Sequence, residues 1–287
     1  MYERLVASPA ASWNQVEEAF LKAMSDFDSG LPTAFSDDGS GGQSSLLSAA
    51  LQNGKGDWFN NVIASVLEKC SGIETLYVRR RVLGLIIPEH NLDGVYPGDP
   101  TREIDFMLEA KMMGTPKHAL SPGEKPAGRS GSADTGKRVK ELAFKSIDLK
   151  GEAARRLTMV GRPPTTGGAG GGDLSAWLHA TRPRIFFFMA VRVLGDADFA
   201  AVVRWAETAA QVVDAVGLYC YEPADGSFTS YRRRSGVPTA YELERVLYRA
   251  CTELQALRED PPPPIPHDVP PSAGARAGEL TAEADEG

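Results

Sequence analysis

REIDFMLEAKMM, residues 102–113, is the stretch from which the rest of the chain can be read. Alternation along an extended strand puts Asp105, Met107, Glu109 and Lys111 on one face and Ile104, Phe106, Leu108 and Ala110 on the other. The second set is wholly apolar, which predicts a face packed into a core. Charge gathers toward one end of the opposite face. A carboxylate and an ammonium two residues apart on a strand project side by side, so Glu109 and Lys111 form a pair able to hold a metal ion and a polarised water together.

A hard divalent ion needs a further carboxylate, and three candidates lie nearby. Asp105 is four residues along the same strand, roughly 13 Å from Glu109 at about 3.3 Å per residue, too far to share an ion. Asp99 faces Glu109 only if the chain turns near Ile104, inside the strand pattern. Asp93 faces it if the hairpin is centred on Thr101, beside the turn-forming PGDPT of 97–101. The geometry selects Asp93.

Outward from this hairpin the pattern predicts an α/β protein with a mixed central sheet. A first helix follows Ser12, with Trp13, Val16, Phe20, Met24 and Phe27 at helical spacing, and Gly30–Gln43 reads as a loop. Asp57 is the expected N-cap of a second helix that reaches Gly72. Strands are expected at 76–87, on both sides of PGDPT, at 184–194, in VGLYCYEP and in SFTSYRRR. The aromatic run RIFFFMAVRVL reads as the buried central strand. Helices are expected at 137–157, 199–216 and 241–257, with Val139, Leu142, Phe144, Ile147 and Leu149 packing the first. The resulting division is an N-terminal helical segment with its loop (1–56), a core (57–258) and a disordered Pro-rich acidic tail (259–287).

A net charge of −7 looks unsuited to a nucleic-acid partner until it is divided along the chain. From Glu259 onward there are seven acids and one Arg, so most of the excess lies in the tail. Between Lys111 and Arg162 there are twelve Lys or Arg against five acids. Positive charge held where phosphates lie releases counterions, so this local excess matters more than the total. Three separated cysteines, Cys70, Cys220 and Cys251, suggest neither a disulfide framework nor a zinc site, and point to a reducing cytoplasm. No apolar run is long enough for a membrane helix.

Leu92-Asp93-Gly94-Val95, then a turn, then Leu108-Glu109-Ala110-Lys111 at the end of an apolar strand, resembles the PD-(D/E)XK nuclease superfamily. That superfamily includes many type II restriction endonucleases, bacteriophage-type exonucleases and archaeal junction resolvases. The order of elements from 57 to 234 also resembles its αβββαβ core, with Leu92 where a proline is frequent. The resemblance implies that Asp93, Glu109 and the carbonyl of Ala110 hold Mg²⁺, and that Lys111 positions or deprotonates the attacking water. A Glu on a preceding helix sometimes joins such sites, and Glu68 stands in that place. Lys137, Arg138, Lys140, Lys145 and Lys150 lie on the helix where the superfamily often meets the DNA backbone.

These readings converge on a Mg²⁺-dependent, restriction-type or phage-defence endonuclease that cuts double-stranded DNA as a homodimer. A repair or recombination nuclease, and a non-catalytic DNA-binding protein on the same fold, remain alternatives. So does a solvent-facing hairpin with an ordinary ion pair. His90, His118, His179 and His267 lack metal-ligand spacing, and Gly167–Gly172 lacks the Lys-Ser/Thr of a phosphate loop.

Overall fold

Residues 185–191 are apolar on both alternating faces, so a strand formed here needs cover on both sides. The computed structural model describes residues 13–36, 43–76, 80–99, 102–114, 130–159, 173–224 and 230–261. Its elements are α1 (Trp13–Ser36), α2 (Gln43–Ser71), β1 (Arg80–Val82), β2 (His90–Leu92), β3 (Gly94–Tyr96), β4 (Phe106–Met113) and α3 (Gly131–Met159). There follow α4 (Leu174–Ala180), β5 (Arg184–Arg192), α5 (Asp196–Ala209), β6 (Ala215–Pro223), β7 (Tyr231–Arg233), a 3₁₀ turn (Thr239–Tyr241) and α6 (Leu243–Glu259).

The main sheet has five strands in the order β3-β4-β5-β6-β7. Its centre is parallel, β4 with β5 and β5 with β6, and its edges are antiparallel. Helices cover both faces. On one, Phe106, Leu108, Phe186 and Phe188 meet Phe20, Phe59, Ile63 and Leu67 of α1 and α2, and Leu247 and Leu254 of α6. On the other, Met107, Ile185, Phe187 and Met189 meet Val139, Leu142 and Leu149 of α3 and Val202 and Ala206 of α5. A fully buried Phe or Leu contributes about 1.5–3 kcal/mol, so these two layers supply the main drive to fold.

Several expectations need correction. Both faces of β4 are buried from Phe106 to Ala110, because the helix layer on the second face covers Met107 as well. Ile104 packs with Met107 rather than with Phe106, so the alternation breaks just before β4 begins. Asp57 lies inside α2 rather than at its N-terminus. Buried Lys55 pairs with buried Asp28 of α1 at 2.8 Å, and that tertiary bond carries the helix through the weak formers Gly54 and Gly56. Part of the expected loop 30–43 is the end of α1. Among the described residues of the strand expected over 76–87, Arg80–Val82 are extended, paired with β2 in a separate two-stranded sheet. The helix expected to reach 216 stops at Ala209, and Phe144 and Ile147 are exposed rather than packed.

Cys70 at the end of α2 and Cys251 in α6 form a disulfide with Cα atoms 5.9 Å apart, 181 residues apart in sequence. The expectation of unpaired cysteines is therefore corrected, and with it goes the cysteine argument for a reducing compartment. Among the described residues no helix is long and apolar enough to cross a membrane. Ser12, Arg79, Thr101, His118, His267, Gly167–Gly172, residues 115–129 and the tail from 262 lie outside the described residues.

Candidate active site

Asp93 is the single residue between β2 of the small sheet and β3 of the large one. β3 pairs with β4 as Gly94↔Leu108, Val95↔Met107 and Tyr96↔Phe106, and one more step sets Asp93 opposite Glu109. That is the register expected from a hairpin centred on Thr101. Gly94 is required by close approach: a methyl group there would stand 2.8 Å from the Leu108 side chain. A larger residue would push β3 off the strand that carries Glu109.

Beyond Gly94 the edge of β4 is open, and the Asp93 side chain turns into the opening. Its Oδ2 accepts from the Ala110 amide at 3.0 Å and from Lys111 Nζ at 2.6 Å. Lys111 Nζ also lies 2.8 Å from Glu109 Oε1. The two carboxylate oxygens are thus no further apart than these two lengths end to end. Asn60 of α2 fixes the segment from behind, donating to the Asp93 carbonyl at 3.0 Å. In extended backbone a residue's N–H and C=O leave the strand on the same side, so the Ala110 carbonyl faces the Asp93 edge too.

A second cation completes the group. Lys145 of α3 donates to Glu109 Oε1, Glu109 Oε2 and the Asn91 carbonyl, each at 3.0 Å. An ammonium has three N–H donors, and all three are engaged. These side chains line a cleft of about 390 Å³ with Asn91, Arg138, Glu141, Leu142 and Phe187. Glu109 is 7% exposed, whereas Asp93 and Lys111 keep about a quarter of their surface. Burial alone would lower the Lys111 pKa, but the Glu109 and Asp93 carboxylates outweigh it and hold the ammonium above the ordinary lysine value.

The structure brings Asp93, Glu109, Ala110, Lys111 and Lys145 together, with Arg138 at the rim. It does not bring in the other candidates. Glu68, near the end of α2, fastens the segment that follows the helix, accepting from the Leu76 amide at 2.8 Å. Asp105 lies at the start of β4 and does not line the cleft; burial, partly offset by Arg182 and Arg102, pushes its carboxyl up to about 6. Lys150 is sealed, bonded to the Leu178 carbonyl and to Asp214 Oδ2, so the expected phosphate contact there is corrected to a structural one. Lys145, expected on a phosphate, is spent on Glu109. Of the basic residues, Lys137, Arg138 and Lys140 are exposed. His90 is buried against Asp148 at 2.7 Å, and the same carboxylate takes the Ile86 and Ile87 amides, clamping the small sheet to α3.

Asn60, Asn91 and Glu141 were not anticipated. Only Glu141 had a signal in the sequence, since it precedes Lys145 by one helical turn on the same face.

Two carboxylates converging on one cation, with a strand carbonyl alongside, form a hard-oxygen donor set. Among the described residues no group of three His, Cys, Asp or Glu converges, so a metal here would have two protein carboxylates. That suits Mg²⁺, which usually keeps several waters and takes one or two carboxylates plus substrate phosphate. The Lys111 ammonium occupies the point on which both carboxylates aim. No family model, curated protein or solved structure matches the chain.

Proposed function

We propose that the protein is a Mg²⁺-dependent deoxyribonuclease of the PD-(D/E)XK type, cutting double-stranded DNA as a restriction or phage-defence enzyme. The observation that carries this reading is the meeting of Asp93 and Glu109 on the Lys111 ammonium inside an open cleft. Asp93, Glu109 and the Ala110 carbonyl would hold the ion, which when bound lowers the pKa of water and polarises a phosphate. Lys111 orients the attacking water and offsets the negative charge that develops on the phosphoryl oxygens. The Ala110 amide holds Asp93 in place, and Asn60 fixes the backbone behind it. Arg138, Lys137 and Lys140 lie along the approach on α3 and meet the phosphate backbone without reading bases. One site per chain and two strands to cut favour a two-fold dimer on a palindrome.

The test is incubation with supercoiled and linear plasmid in Mg²⁺ or EDTA. Discrete Mg²⁺-dependent bands support a site-specific endonuclease. A smear growing from linear ends places the protein with the end-resecting repair nucleases, and a shift without cutting makes it a binding protein. Robust cutting in EDTA removes the mechanism.

A further inference from the structure

Lys145 uses all three of its N–H groups inside the cluster, two on Glu109 and one on the Asn91 carbonyl. It therefore has no donor left for a phosphate while Glu109 holds it. Of the charged residues lining the cleft, Asp93, Glu109 and Glu141 are balanced by Lys111, Arg138 and Lys145. A divalent cation entering this neutral site meets two ammonium groups already on its ligands.

Resting on the nuclease reading above, we propose that Lys145 is a built-in competitor of the metal ion, which keeps loading weak until a DNA phosphate enters. Two effects of removing its ammonium oppose one another. Losing the anchor frees Glu109 only in part, since Lys111 still holds it at 2.8 Å, and so weakens ligation by less than the full ordering of a Glu side chain, which is on the order of tenfold or more. Losing the positive charge removes repulsion of a 2+ ion across roughly 4 Å. A single pair of unit charges at that distance is worth about fivefold even at the dielectric of water, and the ion carries twice the charge in a less polar place. The charge effect wins. Its consequence is that metal and phosphate bind cooperatively: a phosphate supplies negative charge that offsets the incoming ion and accepts the ammonium released from Glu109.

The test is calorimetric titration of DNA-free protein with Ca²⁺, an oxygen-seeking ion whose binding is read without turnover. Lys145→Met is expected to bind at least about fivefold more tightly than wild type, and Lys145→Arg, which keeps the charge, to stay within about twofold. Lys145→Gln gives the same reading should the methionine variant melt early. Adding a short DNA duplex is expected to tighten Ca²⁺ binding more in wild type than in Lys145→Met. Equal or weaker binding by both neutral variants overturns the competition while leaving the metal site intact. Equal tightening by DNA in wild type and variant overturns the coupling. Absence of binding by every form overturns the metal site itself, and the nuclease reading with it.

Discussion

Lys145 and Lys150 sit five residues apart on one helix, each paired with a carboxylate from another part of the chain, yet they belong to different kinds of structure. Lys150 is fully buried; Asp214 takes its ammonium at 2.8 Å and also bonds Arg184 Nη1 and the Ile185 amide, each at 2.8 Å. Burial wins there and draws the Lys150 pKa below the lysine value despite Asp214. At Lys111, beside Lys145 in the cleft, the carboxylates win and the value rises. The sealed pair joins α3 to the start of β5 and has no room for a ligand. The open one lines a cleft with Asp93 and Lys111, whose side chains keep about a quarter of their surface. Proximity of opposite charges is common to both, so access and convergence separate a candidate site from a brace.

The largest effect expected from this contrast is at the brace. Lys150→Met leaves Asp214 buried with Arg184 and the Ile185 amide as partners, and should cost about 3 kcal/mol of stability, the lower end for a broken buried pair. Thermal denaturation should show a melting temperature lower by roughly 5–10 °C. DNA affinity of the folded protein should not change. A loss of DNA binding without a loss of stability would return Lys150 to the phosphate-contact role.

A smaller effect is expected at Asp105. Its unfolded-state pKa is near 3.9, while burial raises the folded value to about 6. Between these values the folded chain holds a proton that the unfolded chain has lost, so this group's contribution to stability falls as pH rises through about 4–6 and is lowest above it. Asp105→Asn should therefore be more stable than wild type at pH 8, on the order of 1–2 kcal/mol after solvent screening, with the gap closing below pH 4. Denaturant titrations at the two pH values check the sign. Cutting should persist in this variant, because Asp105 is outside the cleft.

The smallest effect belongs to the surface of α3. Neutralising Lys137 and Lys140 together should weaken binding to every DNA sequence alike, by roughly tenfold or less. The slope of affinity against salt should become less negative by about 1–2. An unchanged slope would make these residues an ordinary solvated face.

Much of the site was legible because local chemistry and register agree: PGDPT belongs in a turn, and pairing outward from it sets Asp93 opposite Glu109. The mixed sheet was legible from the order of the elements, and buried β5 from its continuous apolar run. The fate of Lys150 was within reach as well, since it continues the buried helical row of Val139 and Ser146, whereas Lys145 leaves that row. The continuous α2 and the Cys70–Cys251 bond were not legible. Each depends on a partner far away in the chain, Asp28 for Lys55 and a cysteine 181 residues distant, and no local pattern records it. Asn60 was out of reach for the same reason, because its value lies in a backbone carbonyl 33 residues on.

In the proposed site Asp93 acts as a metal ligand rather than as the partner of Lys111 alone. The most direct test of that role is Mg²⁺-dependent plasmid cleavage by Asp93→Asn beside wild type, with circular dichroism and melting run on the same samples. The amide keeps the size and one acceptor for the Ala110 N–H, so the fold should survive, while losing the charge should lower the cleavage rate by about a thousandfold or more. A folded Asp93→Asn that cuts at the wild-type rate would contradict the account.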